Sequence, residues 1–279
     1  MNITVKRAIT GLFIIAFILL PILAVPAYFY VFIFVFTLIT FFSLLEFFNL
    51  LIKHQEVYPL KWLASITGTL LFVISSLVVF LRISIIYYGI VVFMIILITA
   101  AELYRKREKP FDNIAYTLLG ILWIAMPFSC FNFLFIDRLY NGNTHILAMA
   151  LFVFLWVNDT GAYIIGISFG KRKLFERISP KKSWEGTIGG LFFTLLTAFI
   201  VSFFWTGFSL IDWCIFGLIA AVSGIFGDLT ESLFKRSINC KDSGNILPGH
   251  GGFLDRFDCV FFAAPMVLFY VVIKYHFGL

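Results

Sequence analysis

Long, almost uncharged apolar runs follow one another through this chain, and they rule out any fold that must show water a polar surface on every side. Runs near the ~20 residues that one membrane-spanning helix requires lie at Ala8 to Val25, Ala27 to Leu45, Trp62 to Leu81, Ile83 to Ala101, Ile114 to Ile136, Ile146 to Phe169, Gly186 to Phe208 and Leu210 to Leu229. A ninth, Cys259 to Ile273, is short, so its helix is expected to begin earlier, within Leu254 to Asp258. None alternates like a barrel strand, and backbone groups in lipid must be bonded within their own segment, so the spans are helices. The expected fold is an all-α polytopic membrane bundle of about nine helices.

The composition agrees. Of 279 residues, 61% are hydrophobic and 13% charged, against about 25% charged in an ordinary soluble domain. Little chain remains for an extramembrane domain, so a single membrane domain over 1–279 is expected, with helices in 1–136 and a chemistry-bearing half in 146–279. The formal charge of +6 reports topology, not nucleic acid. The N-terminus and the loops after spans 2, 4, 6 and 8 carry 18 Lys and Arg, and the other side carries three, Arg82, Arg138 and Lys274. The positive-inside rule then puts the N-terminus in the cytosol and the C-terminus outside. Lys6 and Arg7 before an apolar run resemble a signal peptide, but Pro26 sits badly for cleavage after Val25 and another span follows at once, so retention is expected. Cys130, Cys214, Cys240 and Cys259 form no CxxC pair and are expected to be reduced.

Two cytosolic segments, 170–185 and 230–256, exceed mere connectors. Span 8 ends in GDLTESLFKR, where Asp228, Glu231 and Lys235 share one helix face, and span 9 starts with LDRFD, placing Asp255 and Asp258 at i and i+3. Four carboxylates at one membrane depth are costly unless compensated. A hard divalent cation bound through oxygen compensates them; the plainer alternative is a salt-bridge network with Lys235, Arg236 and Arg256. Between the helices, KDSGNILPGHGG offers a glycine-rich turn able to aim N–H groups at an anion, flanked by Lys235, Arg236, Lys241 and Arg256. His250 in that turn reads as a phosphate donor or orienting group. Asp159, in FLWVNDTGAY, is the one charged residue well inside a predicted span and so a functional candidate, with helix packing as its plainer role. Lys181, Lys182 and Ser183 precede span 7, where a helix N-terminus favours an anion; alternatively these bases hold lipid headgroups or set topology. GISFGKR lacks the spacing of a P-loop, and the Asn158-Asp159-Thr160 sequon lies within a span.

The stretch SLFKRSINCKDSGNILPGHGGFLDRFD resembles the signature of the phosphatidate cytidylyltransferases, the CDP-diacylglycerol synthases. Ser232, Lys235, Arg236, Lys241, Asp242, Gly244, Pro248, His250, Gly251, Gly252, Asp255, Arg256 and Asp258 stand at that family's spacing. GDLTES, NDTGAY and SPKKSWEG are also similar, so the likeness covers 156–265. It implies that CTP and phosphatidic acid give CDP-diacylglycerol and pyrophosphate with Mg²⁺, alone or with a second cation, at the cytosolic face of an inner or plasma membrane. A homodimer among membrane lipids is compatible with the family; nucleic acid is not an expected partner.

On that footing Asp228 and Asp255 are expected as principal metal ligands, supported by Asp258 and Glu231. Lys235, Arg236, Lys241 and His250, with the Gly251 and Gly252 backbone, are assigned to CTP phosphates. Ser232, Asp242 and Arg256 join the binding set, Lys181, Lys182 and Ser183 meet a phosphate of either substrate, and Asp159 lines the cavity or joins the metal shell. The CDP-alcohol phosphotransferases are set aside because their DGxxAR and GxxxD patterns are missing. A cation-coupled transporter is disfavoured because most acids gather at one edge instead of the midplane. A nucleotidyltransferase acting on another lipid phosphate remains an alternative.

Overall fold

The computed structural model describes residues 3–136, 145–244 and 251–277, with side chains from Thr10 onward. The chain is helical almost throughout. In order come α1 (Ile3–His54), α2 (Lys61–Leu81), α3 (Tyr88–Tyr104), α4 (Pro110–Gly120), α5 (Met126–Asn132), α6 (His145–Phe169), β1 (Lys173–Phe175), β2 (Ser179–Ser183), α7 (Trp184–Phe204), α8 (Leu210–Ser237) and α9 (Leu254–Phe277). Among the described residues eight helical stretches are long and apolar enough to cross a membrane. The first two predicted spans share α1, whose 52 residues would reach about 78 Å if straight. It is not straight: Tyr28 leaves helical geometry at φ −141°, ψ 59°, just after Pro26, whose ring removes one helix hydrogen bond and crowds the preceding turn. α9 begins at Leu254, as the shortness of its apolar run predicts.

Two compact units divide the chain. One comprises Met1–Ile136 and Ser237–Phe257, the other Asp137–Arg236 and Asp258–Leu279. The first unit has a core of phenylalanines from α1, α2 and α5. Phe32, Phe36, Phe72, Phe128 and Phe131 are fully buried, with Phe36 stacked on Phe131 at 5.5 Å. Such ring pairs stabilise beyond their buried area, and in lipid, where burial alone drives little, tight packing of this kind holds helices together. Asn132 ties the cluster to α2 by donating to Ser75 Oγ at 2.6 Å and to the Phe72 carbonyl at 3.2 Å. α4 and α5 join through a π turn at Ile121–Ala125. Outside this core, buried Glu102 accepts from Asn113 and pairs with Arg105, fastening the ends of α3 and α4.

In the second unit, small residues set the helix spacing. Gly186, Gly189 and Gly190 of α7 lie so close to Ala162, Ile165 and Asn158 of α6 that a β-carbon at any of the three would fall 2.5–2.7 Å from that partner, the close approach that small residues permit in membranes. The predicted loop between these helices contains a two-stranded antiparallel hairpin, β1 with β2. Its base is closed by Trp184, whose N–H donates to the Arg172 carbonyl at 2.9 Å. Glu185 adds to that closure by accepting from the N–H groups of Lys171 and Arg172. The hairpin delivers the end of β2 straight into α7, where Ser183 caps the helix by accepting from the Gly186 N–H at 3.2 Å.

Candidate active site

Within the second unit, α6, α7, α8 and the hairpin enclose a cleft of ≈ 570 Å³ whose polar wall is Asn158, Asp159, Lys173, Lys181, Lys182 and Asp228. Strand alternation sorts the lysines: Lys181 is exposed, Lys182 half-buried and Ser183 buried. Lys182 forms an ion pair with Asp228 across the cleft. Asp228 Oδ1 also accepts from Ser232 one turn along α8, at 3.2 Å. Burial works against the Lys182 ammonium, but the charge and hydrogen bond of Asp228, with Cys259 and Asp159 beyond, outweigh it and hold this lysine above its ordinary value of 10.5. It is therefore a fixed cation at neutral pH.

Asp258, on α9, has Asp228, Asp159 and Lys235 as its charged neighbours. One of its oxygens accepts from the Cys259 N–H at 2.7 Å, while the Cys259 thiol reaches toward Asp159 at 4.0 Å. α9 comes this close to α8 because Gly227 carries no β-carbon; one there would stand 2.5 Å from the Asp258 carbonyl. Three of the expected carboxylates, Asp159, Asp228 and Asp258, are thus mutual neighbours, with Lys182 beside the first two and Lys235 near the third. Glu231, expected to support a metal, is instead fully buried and pairs with Lys235 at i+4, so part of the plainer salt-bridge reading is present as well.

The donors suit a hard cation, since all are carboxylate oxygens. Among the described residues no three acids, histidines or cysteines converge tightly enough to hold a metal ion alone. The expected set of four carboxylate ligands is therefore not assembled there; Asp228 and Asp258 have the donor chemistry of a Mg²⁺ site completed by substrate phosphate oxygens.

The remaining predicted residues belong to the first unit or to the end of α8. Asp255 belongs to the first unit. Its Oδ2 accepts from the backbone N–H groups of Ser243 and Gly252, both at 3.1 Å, and so ties the glycine-rich loop to the start of α9. The Gly252 N–H, expected to face a phosphate, is engaged there. Gly251 adopts φ +80°, which its lack of a side chain permits. Lys241, Asp242, Arg236 and Arg256 are exposed. His250 lies outside the described residues.

Two site residues escaped the sequence reading. Asn158 is 1% exposed, and its Oδ1 has no hydrogen-bond partner among the described residues, though it borders the cleft. Glu46, 4% exposed, stands one residue beyond the predicted end of span 2. An intramembrane carboxylate is a functional candidate by default, and a span drawn one turn longer would have caught it.

A polytopic helical membrane protein with a lysine and carboxylate cleft at its helix ends is the class this fold and site define. The chain belongs to the cytidylyltransferase family, whose profile matches residues 5–274. It is 40% identical over 164 residues to a phosphatidate cytidylyltransferase of Staphylococcus aureus strain COL, covering 58% of this chain and 60% of that protein. It is 38% identical over 183 residues to the phosphatidate cytidylyltransferase of Bacillus subtilis strain 168, covering 64% and 66%. The match therefore spans less than two thirds of the length of these curated relatives.

Proposed function

We propose that this protein transfers the cytidylyl group of CTP to phosphatidic acid, giving CDP-diacylglycerol and pyrophosphate. The observation that carries the reading is the Lys182 and Asp228 pair in a cleft also bordered by Asp159, Lys173 and Lys181. A phosphate monoester with a second pKa near ~6 is largely dianionic at pH 7, so the acceptor needs no strong general base. Its oxygen attacks the α-phosphorus of CTP, the bond from that phosphorus to the bridging oxygen breaks, and pyrophosphate leaves with the electron pair. What the protein supplies is position and charge. Lys182, held protonated, neutralises a phosphate as it displaces or shares Asp228. Lys181 and Lys173 meet further phosphate oxygens from the exposed hairpin. Mg²⁺ held by Asp228 and Asp258 together with substrate oxygens would neutralise the triphosphate and stabilise the leaving group.

The acceptor lives in the bilayer, which accounts for a nucleotide cleft built at helix ends with apolar residues such as Ile167 and Ile225 in its lining. The same reading puts the cleft on the cytosolic side of the plasma membrane. Counting α1 as one span instead of two moves only Lys6 and Arg7 across, so the charge asymmetry of the other loops is unchanged.

The test is pyrophosphate release from CTP by purified protein in detergent, with and without phosphatidic acid and Mg²⁺. Release that requires all three is expected. Release indifferent to phosphatidic acid, or none from a folded sample, overturns the assignment, and ion flux into proteoliposomes without CTP would put a transporter in its place.

A further inference from the structure

The mechanism above makes no use of Glu46, yet Glu46 is a buried carboxylate brought 208 residues along the chain to the start of α9. Its Oε2 accepts from the Leu254 N–H at 2.9 Å, and the Phe253 N–H and the Ser243 hydroxyl face the same carboxylate. The free N–H groups of a helix's first turn attract an anion through both hydrogen bonds and the helix dipole. Two glycines at the described ends of the glycine-rich loop lie against it. A β-carbon on Gly244 would lie 2.8 Å from Glu46 Oε1, and one on Gly252 would lie 2.5 Å from Glu46 Oε2. One turn earlier on α1, Phe42 stacks on Phe253 at 5.8 Å with the rings 17° apart. All of these groups belong to the first unit.

We infer that Glu46 is a positioning residue for the glycine-rich loop that the family resemblance assigns to CTP phosphates: its carboxylate fixes the backbone of Gly244 and 252–254, and with it the first turn of α9 that carries Asp255. The inference rests on the cytidylyltransferase reading for the identity of the nucleotide. Glu46 touches no reacting atom. Gly252, assigned to CTP phosphates above, and Gly244 are explained here by the close approach of this side chain, joined at Gly252 by Ser243 Oγ, where any β-carbon would clash.

The experiment uses full-length protein in detergent with Glu46→Ala, Glu46→Gln and Glu46→Asp, and reads hydrogen exchange of the peptide covering 251–254 together with KM for each substrate. Losing a hydrogen bond to a charged group should raise exchange there in Glu46→Ala by roughly 10-fold or more. KM for CTP should rise by about 10-fold while KM for phosphatidic acid stays unchanged. Gln, which keeps an acceptor of the same length, should restore most of both; Asp, one methylene short, should not. Unchanged exchange in Glu46→Ala overturns the inference, as does activity that falls only with the folded fraction while both KM values hold. If Glu46→Ala fails to fold, the contrast between Gln and Asp decides, and equal behaviour of the two overturns it. Wild-type protein that releases no pyrophosphate defeats the cytidylyltransferase reading instead, and the exchange measurement then decides the role of Glu46 on its own.

Discussion

Lys182 and Asp228 meet as an ion pair in the cleft of the second unit with side chains 27% and 29% exposed. The pair is therefore accessible to a substrate and yet dry enough for its charges to matter. Lys182 comes from the last residues of a hairpin and Asp228 from the last turns of a 28-residue helix, so two independently folded elements must both be in place for the pair to form.

Replacing Lys182 with Met should lower turnover by about 100-fold or more, the scale seen when one preorganised donor to developing charge is removed. Asp228→Asn alone should do similar damage. The double variant should lose less than the product of the two, with a coupling of about 0.5–3 kcal/mol in a cycle on kcat/KM. Full additivity would show that the two residues act separately.

The pH dependence follows from the raised value of Lys182. A lysine held higher when folded contributes stability that is fully present below its unfolded value and is lost only as pH rises through the folded one. The difference in thermal midpoint between wild type and Lys182→Met should thus stay flat from neutral pH up to the ordinary lysine value of 10.5 and shrink only above it. Fluorescence-monitored melting across that range checks this. A difference that vanishes by pH 9 would contradict the assignment.

Asp258 and Asp255 sit one turn apart on α9 but should fail differently. Asp258→Asn should abolish Mg²⁺-dependent turnover with the fold intact. Asp255→Ala removes the acceptor of two backbone N–H groups and should cost stability of about 1–3 kcal/mol along with activity. Asp255→Asn, which retains an acceptor oxygen, should recover most of that stability. Melting curves and pyrophosphate release measured on the same samples separate the two kinds of loss.

Gly252→Ala should destabilise by about 1–3 kcal/mol, the usual range for overpacking a filled site, because the added carbon meets Glu46 within the first unit. Activity should fall with it. A neutral Gly252→Ala would mean that the loop tolerates displacement.

At the start of α8, Asp212 accepts from Tyr270 at 3.0 Å and pairs with Lys274 at 2.7 Å, roughly 24 Å along the helix from Asp228. Asp212→Asn should lower the melting temperature and leave both KM values unchanged.

Helix positions were readable in the sequence because each span is a long apolar run with an abrupt polar end, and α9 was placed correctly from the shortness of its run alone. The kinked continuity of α1 was not, since Pro26 breaks hydrophobic periodicity in the same way whether the chain bends or turns back. Lys182, Asp228 and Asp258 were chosen for charge at a membrane edge and Asp159 for charge well inside a span, and the fold does bring them together. The charge pattern did not show their pairing: Lys182 was read as a phosphate ligand, and its engagement with Asp228 depends on a hairpin only three and five residues long in its two strands, too short and too basic to look like sheet. Asp255 and Asp258 looked equivalent at i and i+3, yet backbone donors 12 and 3 residues away claim one of them. Glu46 was missed because a hydropathy window ends a span where the first charge appears.

The 208-residue separation of Glu46 from its Leu254 donor also orders events at the ribosome. At about 5–20 residues per second, roughly 10–40 s pass between the synthesis of the two. Throughout that interval α1 holds a carboxylate whose backbone donors do not yet exist, so it must remain hydrated or protonated. The start of α9 is then what releases it from waiting, because only with Leu254 in place does the carboxylate gain its backbone donor.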